Sequence, residues 1–205
     1  MEALHRRDEP TAVRRDLRPL PVVSVAVAVW GLCYALYRGY YALGGTLLLP
    51  GTPADPSLFK LINAAATAIL VIAAILPIAM LPLWQRPSVR PVLLAVCWLV
   101  AVGCIMHALI DSIERILSLA GLLIIDYPES VWASIDHRAA DLQDLFFNEP
   151  WFLLEGLGFG ALAWIALGPG RRRRWWVGTA VAATAALTVI GLLSATGVIG
   201  KVIIG

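Results

Sequence analysis

Five apolar stretches, each long enough to cross a bilayer, constrain this chain to one kind of fold. They are Leu20–Leu43, Leu61–Trp84, Val92–Leu123, Trp151–Leu167 and Trp175–Ile199. A span needs about 20 apolar residues, because the hydrocarbon core is about 30 Å thick and a helix rises about 1.5 Å per residue. Backbone amides in that core find no water, so each stretch must close its hydrogen bonds within itself as an α-helix. With 60% of its residues hydrophobic and 15% charged, the chain lacks the charged shell of a soluble domain. The expected fold is all-α: a single polytopic transmembrane helix bundle over residues 20–199, preceded by a basic tail at residues 1–19. The third stretch is longer than a span requires and turns amphipathic after Ile110, so its end should protrude or lie at the interface. The fourth is short, and a start inside the preceding loop would lengthen it.

Lys and Arg set the orientation. The tail carries Arg6, Arg7, Arg14, Arg15 and Arg18; the second connection carries Arg86 and Arg90; the fourth carries Arg171 to Arg174. The alternate side has only Lys60, Arg138 and Lys201, a bias of eleven to three that places the N-terminus inside and the C-terminus outside. The charged start and the long first apolar run read as a retained span rather than a cleaved leader. The acidic segment Ile124–Pro150 is then an outer loop, read either as solvated chain or as holding a short surface helix over Arg138–Phe147. Cys33, Cys97 and Cys104 lie in apolar runs without a C-x-x-C, so they read as packing residues. No internal repeat is visible, and an odd number of spans argues against the inverted repeats of many transporters. Gly156 and Gly160 form a G-x-x-x-G suited to close helix contact.

Ionisable residues inside spans carry the functional information, since a charge at mid-bilayer costs about 2.5–3.5 kcal/mol even on the gentlest scale. Here they gather in the outer half, Arg38 on the first span, His107, Asp111, Glu114 and Arg115 on the third, and Glu149 and Glu155 at the fourth, with the neutral but polar Asn63 opening the second. At 100° per residue, the four on the third span share about one third of its circumference. Trp151, Phe152, Glu155 and Phe159 share a face of the fourth, and Trp30, Tyr34, Tyr37, Arg38 and Tyr41 share one on the first. Converging, these faces would enclose an outward-lying pocket of carboxylates, a guanidinium and an imidazole between aromatic walls. Bland accounts exist for the pieces: an interfacial aromatic belt for Tyr40, Tyr41 and Trp151, and ion pairs Asp111–Arg115 or Glu114–Arg38. Glu155 resists them, lying one turn inside its span among Leu153, Leu154 and Gly156. His107 and Asp111 make an H-x-x-x-D pair offering two ligands, but without a clustered histidine set no metal is expected. No phosphate-cradling glycine loop or haem motif is present, so no cofactor is expected either, and nothing points to nucleic acid.

Two patches carry a resemblance. Tyr37-Arg38-Gly39-Tyr40-Tyr41-Ala42-Leu43-Gly44-Gly45-Thr46 and Asn148-Glu149-Pro150-Trp151-Phe152-Leu153-Leu154-Glu155-Gly156 resemble the signatures of a family of small actinobacterial membrane proteins of unknown function. The resemblance covers Val22 to Leu167 and implies a multi-pass protein of a bacterial cell membrane. That family often has His at the position of Arg38, Trp at Tyr41 and Gly at Glu155, and usually ends after four helices. The departures fall in the expected pocket and point to adaptation to a particular ligand.

In size and pocket composition the chain also resembles membrane-bound terpene cyclases and sterol isomerases of the emopamil-binding type. The resemblance implies a cyclase or isomerase acting by carbocation chemistry on a lipophilic, terpenoid or prenylated substrate that arrives through lipid. Protonating an alkene needs a buried, neutral carboxylic acid, and the resulting cation needs electron-rich walls. Asp111, Glu114 and Glu155 are the candidate acids, Glu149 stands at the mouth, and His107 and Arg38 orient or polarise. Trp30, Tyr34, Tyr37, Tyr41, Trp151 and Phe152, with Asn63, line the cavity. A non-catalytic binding, immunity or assembly protein is the alternative reading, and a transporter a weaker one. Geometry separates them: a closed, paired polar cluster favours the alternative, while an open cavity with unpaired acids favours the enzyme.

Overall fold

The computed structural model describes residues 17–199; the expectations placed on Arg6 to Arg15, and on Lys201, lie outside them. Among the described residues, five helices are long and apolar enough to cross a membrane, and the protein is an all-α multi-pass bundle. The elements are α1 (Leu20–Ala42), β1 (Gly51–Pro53), α2 (Pro56–Ala79), a 3₁₀ turn (Leu81–Gln85), α3 (Arg90–Leu119), β2 (Trp132–Ile135), α4 (His137–Gln143), a π turn (Asp144–Asn148), α5 (Glu149–Leu167) and α6 (Arg171–Ala195).

Proline marks where the helices begin. α1, α2, α3 and α5 each carry Pro in the first two helical positions, where its missing N–H costs nothing and its φ already suits the helix. At α2, Asp55 adds a side-chain cap, accepting from Ser57 N at 2.8 Å and Leu58 N at 3.2 Å. α2 therefore starts at Pro56, ahead of the Leu61 expected from hydropathy. Its interior Pro77 is followed within a few residues by the 3₁₀ turn that ends the span. The largest departure lies in the segment Ile124–Pro150. Its second half is helical, and α4 runs through the π turn into α5, so the fourth helical stretch extends from His137 to Leu167 instead of starting at Trp151. α3 ends at Leu119, short of Leu123, and α6 covers Arg171–Ala195, about one turn earlier than expected.

Packing runs in a chain of neighbours: α2 lies along α1, α1 against α5, α5 against α3, and α3 against α6. α2 and α3 make almost no contact. Gly156 carries the α5–α3 approach, where a Cβ would come within 2.7 Å of Ile105 and 3.1 Å of the Ala101 carbonyl. Gly158 does the same toward α1, against Val27. Gly160 meets nothing within 4 Å, so the G-x-x-x-G does not act as a paired contact motif within the chain.

One small feature was not foreseen. β1 and β2 pair antiparallel, Gly51 opposite Ile135 and Thr52 opposite Ser134, joining the α1–α2 loop to the α3–α4 loop. Asp136 N→Pro50 O at 2.8 Å and Ala54 N→Val131 O at 2.9 Å flank the ribbon. Glycine is required at position 51, because a Cβ there would sit 2.8 Å from Ile135 Cα. The ribbon puts these two loops at one end of the bundle. At the other end, the Arg90 guanidinium donates to the Ala166 carbonyl and joins the start of α3 to the end of α5.

Candidate functional site

Between α1, α2, α3 and α5 lie two adjoining cavities that share Tyr34, Ile69, Leu70 and Phe152. The one nearer the ribbon, about 390 Å³, is polar: Arg38, His107, Asp111, Arg115, Asp144, Asn148 and Glu149 line it. The other, about 290 Å³, is almost wholly apolar and is walled by Trp30, Tyr34, Trp151 and Phe152. Glu155 and Cys104 are among its few polar groups. Ile69 of α2 and Leu99 of α3, on either rim of the apolar cavity, are 68% and 64% exposed. With α2 and α3 nearly out of contact, the gap between them opens sideways toward lipid.

The aromatic wall is built by one face of α1 meeting the start of α5. Trp30 stacks on Trp151 with ring centroids 3.9 Å apart, and its Nε1 donates to the Trp151 carbonyl at 3.1 Å. Tyr34 stacks on Trp151 at 5.3 Å and meets Phe152 edge-on at 5.7 Å. Phe152 in turn is edge-on to His107 at 4.4 Å. Offset and edge contacts of this kind hold rings beyond what burial alone provides.

Glu155 sits one turn below Trp151, where Gly31 of α1 leaves space: a Cβ on Gly31 would lie 3.5 Å from Glu155 Oε1 and 3.2 Å from Ala74 Cβ. Both carboxyl oxygens are buried and neither has a hydrogen-bond partner. Nearer the ribbon, His107 Nε2 is 3.5 Å from Asp111 and 3.9 Å from Glu149. Glu149 is buried, and its Oε2 also has no hydrogen-bond partner.

Arg115 is the centre of a second polar network, which borders the polar cavity. Arg115 bridges Asp144 at 2.9 Å and Asp141 at 3.4 Å, and donates to the Tyr127 hydroxyl at 2.9 Å. Asp141 also accepts from Ser118 Oγ at 2.5 Å and from Tyr127 at 3.2 Å, while Asp144 accepts from Asn148 at 2.5 Å. Burial raises the Tyr127 phenol above its ordinary range; Arg115 opposes the rise, and Asp141 and Asp144 add to it. Tyr127 therefore stays protonated and donates to Asp141. This network pins α4 and the π turn to α3, so Asp141, Asp144 and Glu149 of the acidic loop turn inward instead of facing water. Arg115 pairs with these two acids across helices, not with Asp111 one turn away.

Of the residues singled out in the sequence, Trp30, Tyr34, Arg38, His107, Asp111, Glu149, Trp151, Phe152 and Glu155 line the joined cavities. Tyr37 and Tyr41 do not. They line a pocket of about 110 Å³ beneath the ribbon, which Arg38 also reaches. There the Tyr41 hydroxyl donates to the Leu47 carbonyl at 2.9 Å, and Gln143 Nε2 donates to Tyr37 at 2.7 Å. Asn63 lines none of these cavities; it is buried in α2 and donates to the Phe59 carbonyl at 2.8 Å. Glu114 also lines none of them. Asp144, Asn148 and Cys104 were missed as lining residues, although the i, i+4 spacing of Asp144 and Asn148 just before Trp151 was a readable sign. No family model matches this chain, and no curated protein or solved structure is significantly similar to it.

Proposed function

We propose that this chain is a membrane-embedded enzyme that isomerises or cyclises a lipophilic, terpenoid-type substrate, with Glu155 as the proton donor. The observation that carries the reading is the Glu155 carboxyl, buried without a partner beside a cavity walled by two Trp, a Tyr and a Phe. An ionised carboxylate cut off from water and from donors is expensive, so the uncharged acid is the form this setting tolerates. Its proton adds to an alkene carbon, the π electrons form the new C–H bond, and the adjacent carbon becomes the cation. The faces of Trp30, Tyr34 and Trp151 stabilise that charge without offering a nucleophile. Loss of a neighbouring proton to the Glu155 carboxylate restores the acid and leaves a shifted or ring-closed alkene. Substrate enters from lipid through the gap between α2 and α3, and its polar end lies in the outer cavity.

By the positive-inside rule, the end carrying Arg86, Arg90 and Arg171–Arg174 is cytoplasmic, and the ribbon faces outward across a bacterial cell membrane. The two sequence patches that resemble an actinobacterial family are in keeping with that location.

The alternative, a non-catalytic binding or assembly protein, has the Arg115 network in its favour, since the charges of Arg115, Asp141 and Asp144 are paired there. It gives no role to Glu155. The test is purified protein in lipid nanodiscs, given linear prenylated substrates and analysed for products by mass spectrometry. Conversion is expected, with Glu155→Gln lowering turnover about 10²–10⁴-fold, the usual range for general acid catalysis, while substrate binding changes little. Absence of any cyclised or isomerised product overturns the proposal, and full activity in Glu155→Gln removes Glu155 from it.

A further inference from the structure

The outer cavity holds three groups whose arrangement the acid-initiated reaction does not use. His107 and Asp111 lie one turn apart on α3, so both point from one helix face, with Nε2 and Oδ2 3.5 Å apart. Glu149, in the first turn of α5, brings Oε2 to 3.9 Å from the same nitrogen. One ligand atom from each of the three lies within 4.8 Å of the other two. The Glu149 side chain is 4% exposed and its Oε2 accepts no hydrogen bond, so a buried carboxylate oxygen aims at the imidazole with no donor to meet it. Arg115 is ion-paired to Asp141 and Asp144 and so does not serve Asp111 and Glu149 as their dedicated counter-charge.

We propose that His107, Asp111 and Glu149 form a binding site for one divalent transition-metal ion of the Mn²⁺ or Zn²⁺ class, open to the outer cavity. Ligand bonds of about 2.0–2.2 Å place ligand atoms roughly 3.0–3.5 Å apart around one ion. The His107–Asp111 separation already matches, and small side-chain rotations close the rest. One imidazole and two carboxylates suit a borderline ion better than Ca²⁺ or Mg²⁺, which favour all-oxygen sets. Three protein ligands leave coordination positions free, and these face the cavity, as in metal sites that take a substrate oxygen. The site does not depend on the role given to Glu155: metal binding is read without substrate, so either proposal can fail alone.

The experiment uses the full chain in nanodiscs, stripped with chelator and titrated with Mn²⁺ while electron paramagnetic resonance follows the free-ion signal. One Mn²⁺ per chain is expected, displaced by Zn²⁺, with an electron-spin-echo modulation from one imidazole nitrogen. His107→Ala should abolish the nitrogen modulation, and His107→Ala and Asp111→Asn should each weaken binding by about 10-fold or more. Their side chains are 43% and 26% exposed, so these replacements spare the fold in a way that the buried Glu149→Gln need not. Glu114→Gln, an acid on the same helix that lines neither cavity, should bind as the parent does. Absence of stoichiometric binding, equal affinity in His107→Ala, or bound Mn²⁺ without nitrogen coupling would each overturn the assignment.

Discussion

Replacing Arg115 by Met tests whether the network between α3 and the α4–α5 region is what holds the polar cavity in shape. The Arg115 side chain is 13% exposed and meets Asp141, Asp144 and Tyr127, with Asp141 itself 3% exposed. Removing one partner of a buried pair typically costs about 3–5 kcal/mol, mostly because a charge is left stranded. Both acids keep other donors here, Ser118 and Tyr127 for Asp141 and Asn148 for Asp144. The loss should therefore fall near the lower end, about 3 kcal/mol. Equilibrium unfolding in mixed detergent micelles, followed by tryptophan fluorescence, measures it. Adding Asp144→Asn to Arg115→Met removes one stranded charge, so the double variant should be more stable than Arg115→Met alone, a non-additivity that separates pairing from lost packing. A cost below about 1 kcal/mol, in the range of an exposed pair, or no recovery in the double variant, refutes the reasoning.

Gly156→Val should destabilise the protein by about 1–3 kcal/mol through overpacking of α3 against α5, whereas Gly160→Ala should be close to neutral; the same unfolding assay compares them. Because the Tyr127 phenol is raised in the folded state, its contribution to stability is intact below the ordinary phenol value of about 10 and declines as pH rises beyond it. A scan of parent against Tyr127→Phe checks this, the variant lacking that decline. With Cys33, Cys97 and Cys104 replaced, a cysteine at Glu129 should react with an impermeant maleimide from outside intact cells, and one at Arg172 only after lysis; the reverse pattern inverts the bundle. Trp30→Phe should cost about 1 kcal/mol for the hydrogen bond to the Trp151 carbonyl and should alter product distribution more than total turnover.

The spans were legible because apolar length is decided locally, by what each stretch can expose to lipid. Their ends were less so, since Asp55–Pro56 begins α2 five residues before hydropathy rises at Leu61. The polar residues show a deeper limit. Helical spacing groups Trp30, Tyr34, Tyr37 and Tyr41 on one face, but Trp30 to Tyr41 rises about 16 Å, so a shared face is not a shared depth. The upper two tyrosines serve the ribbon and the lower pair of aromatics serves the cavity. Asp141 and Asp144 looked like members of a solvated loop because their partner, Arg115, is more than twenty residues away, and Arg115 had an acid of its own one turn below. Which acid an arginine chooses is settled by tertiary packing. The spacing of Asp144 and Asn148 was readable, but the π turn that carries them into the cavity leaves no mark in composition.

The β1–β2 ribbon also has a bearing on biogenesis. Its two strands are separated by the whole of α2 and α3, so Gly51–Pro53 must wait for Trp132–Ile135 before either finds its partner. At ribosomal rates of about 5–20 residues per second, that interval is roughly 4–16 s, far longer than the microseconds in which a local hairpin forms. During it, the α1–α2 pair stands in the membrane with its connecting loop unlatched. The latch closes only after α3 has crossed and the following segment has emerged on the far side, so ribbon pairing reports that the first three spans have been threaded in the right sense. A chain in which α3 fails to insert has no means of closing it, and the backbone edge of Gly51–Pro53 stays unpaired.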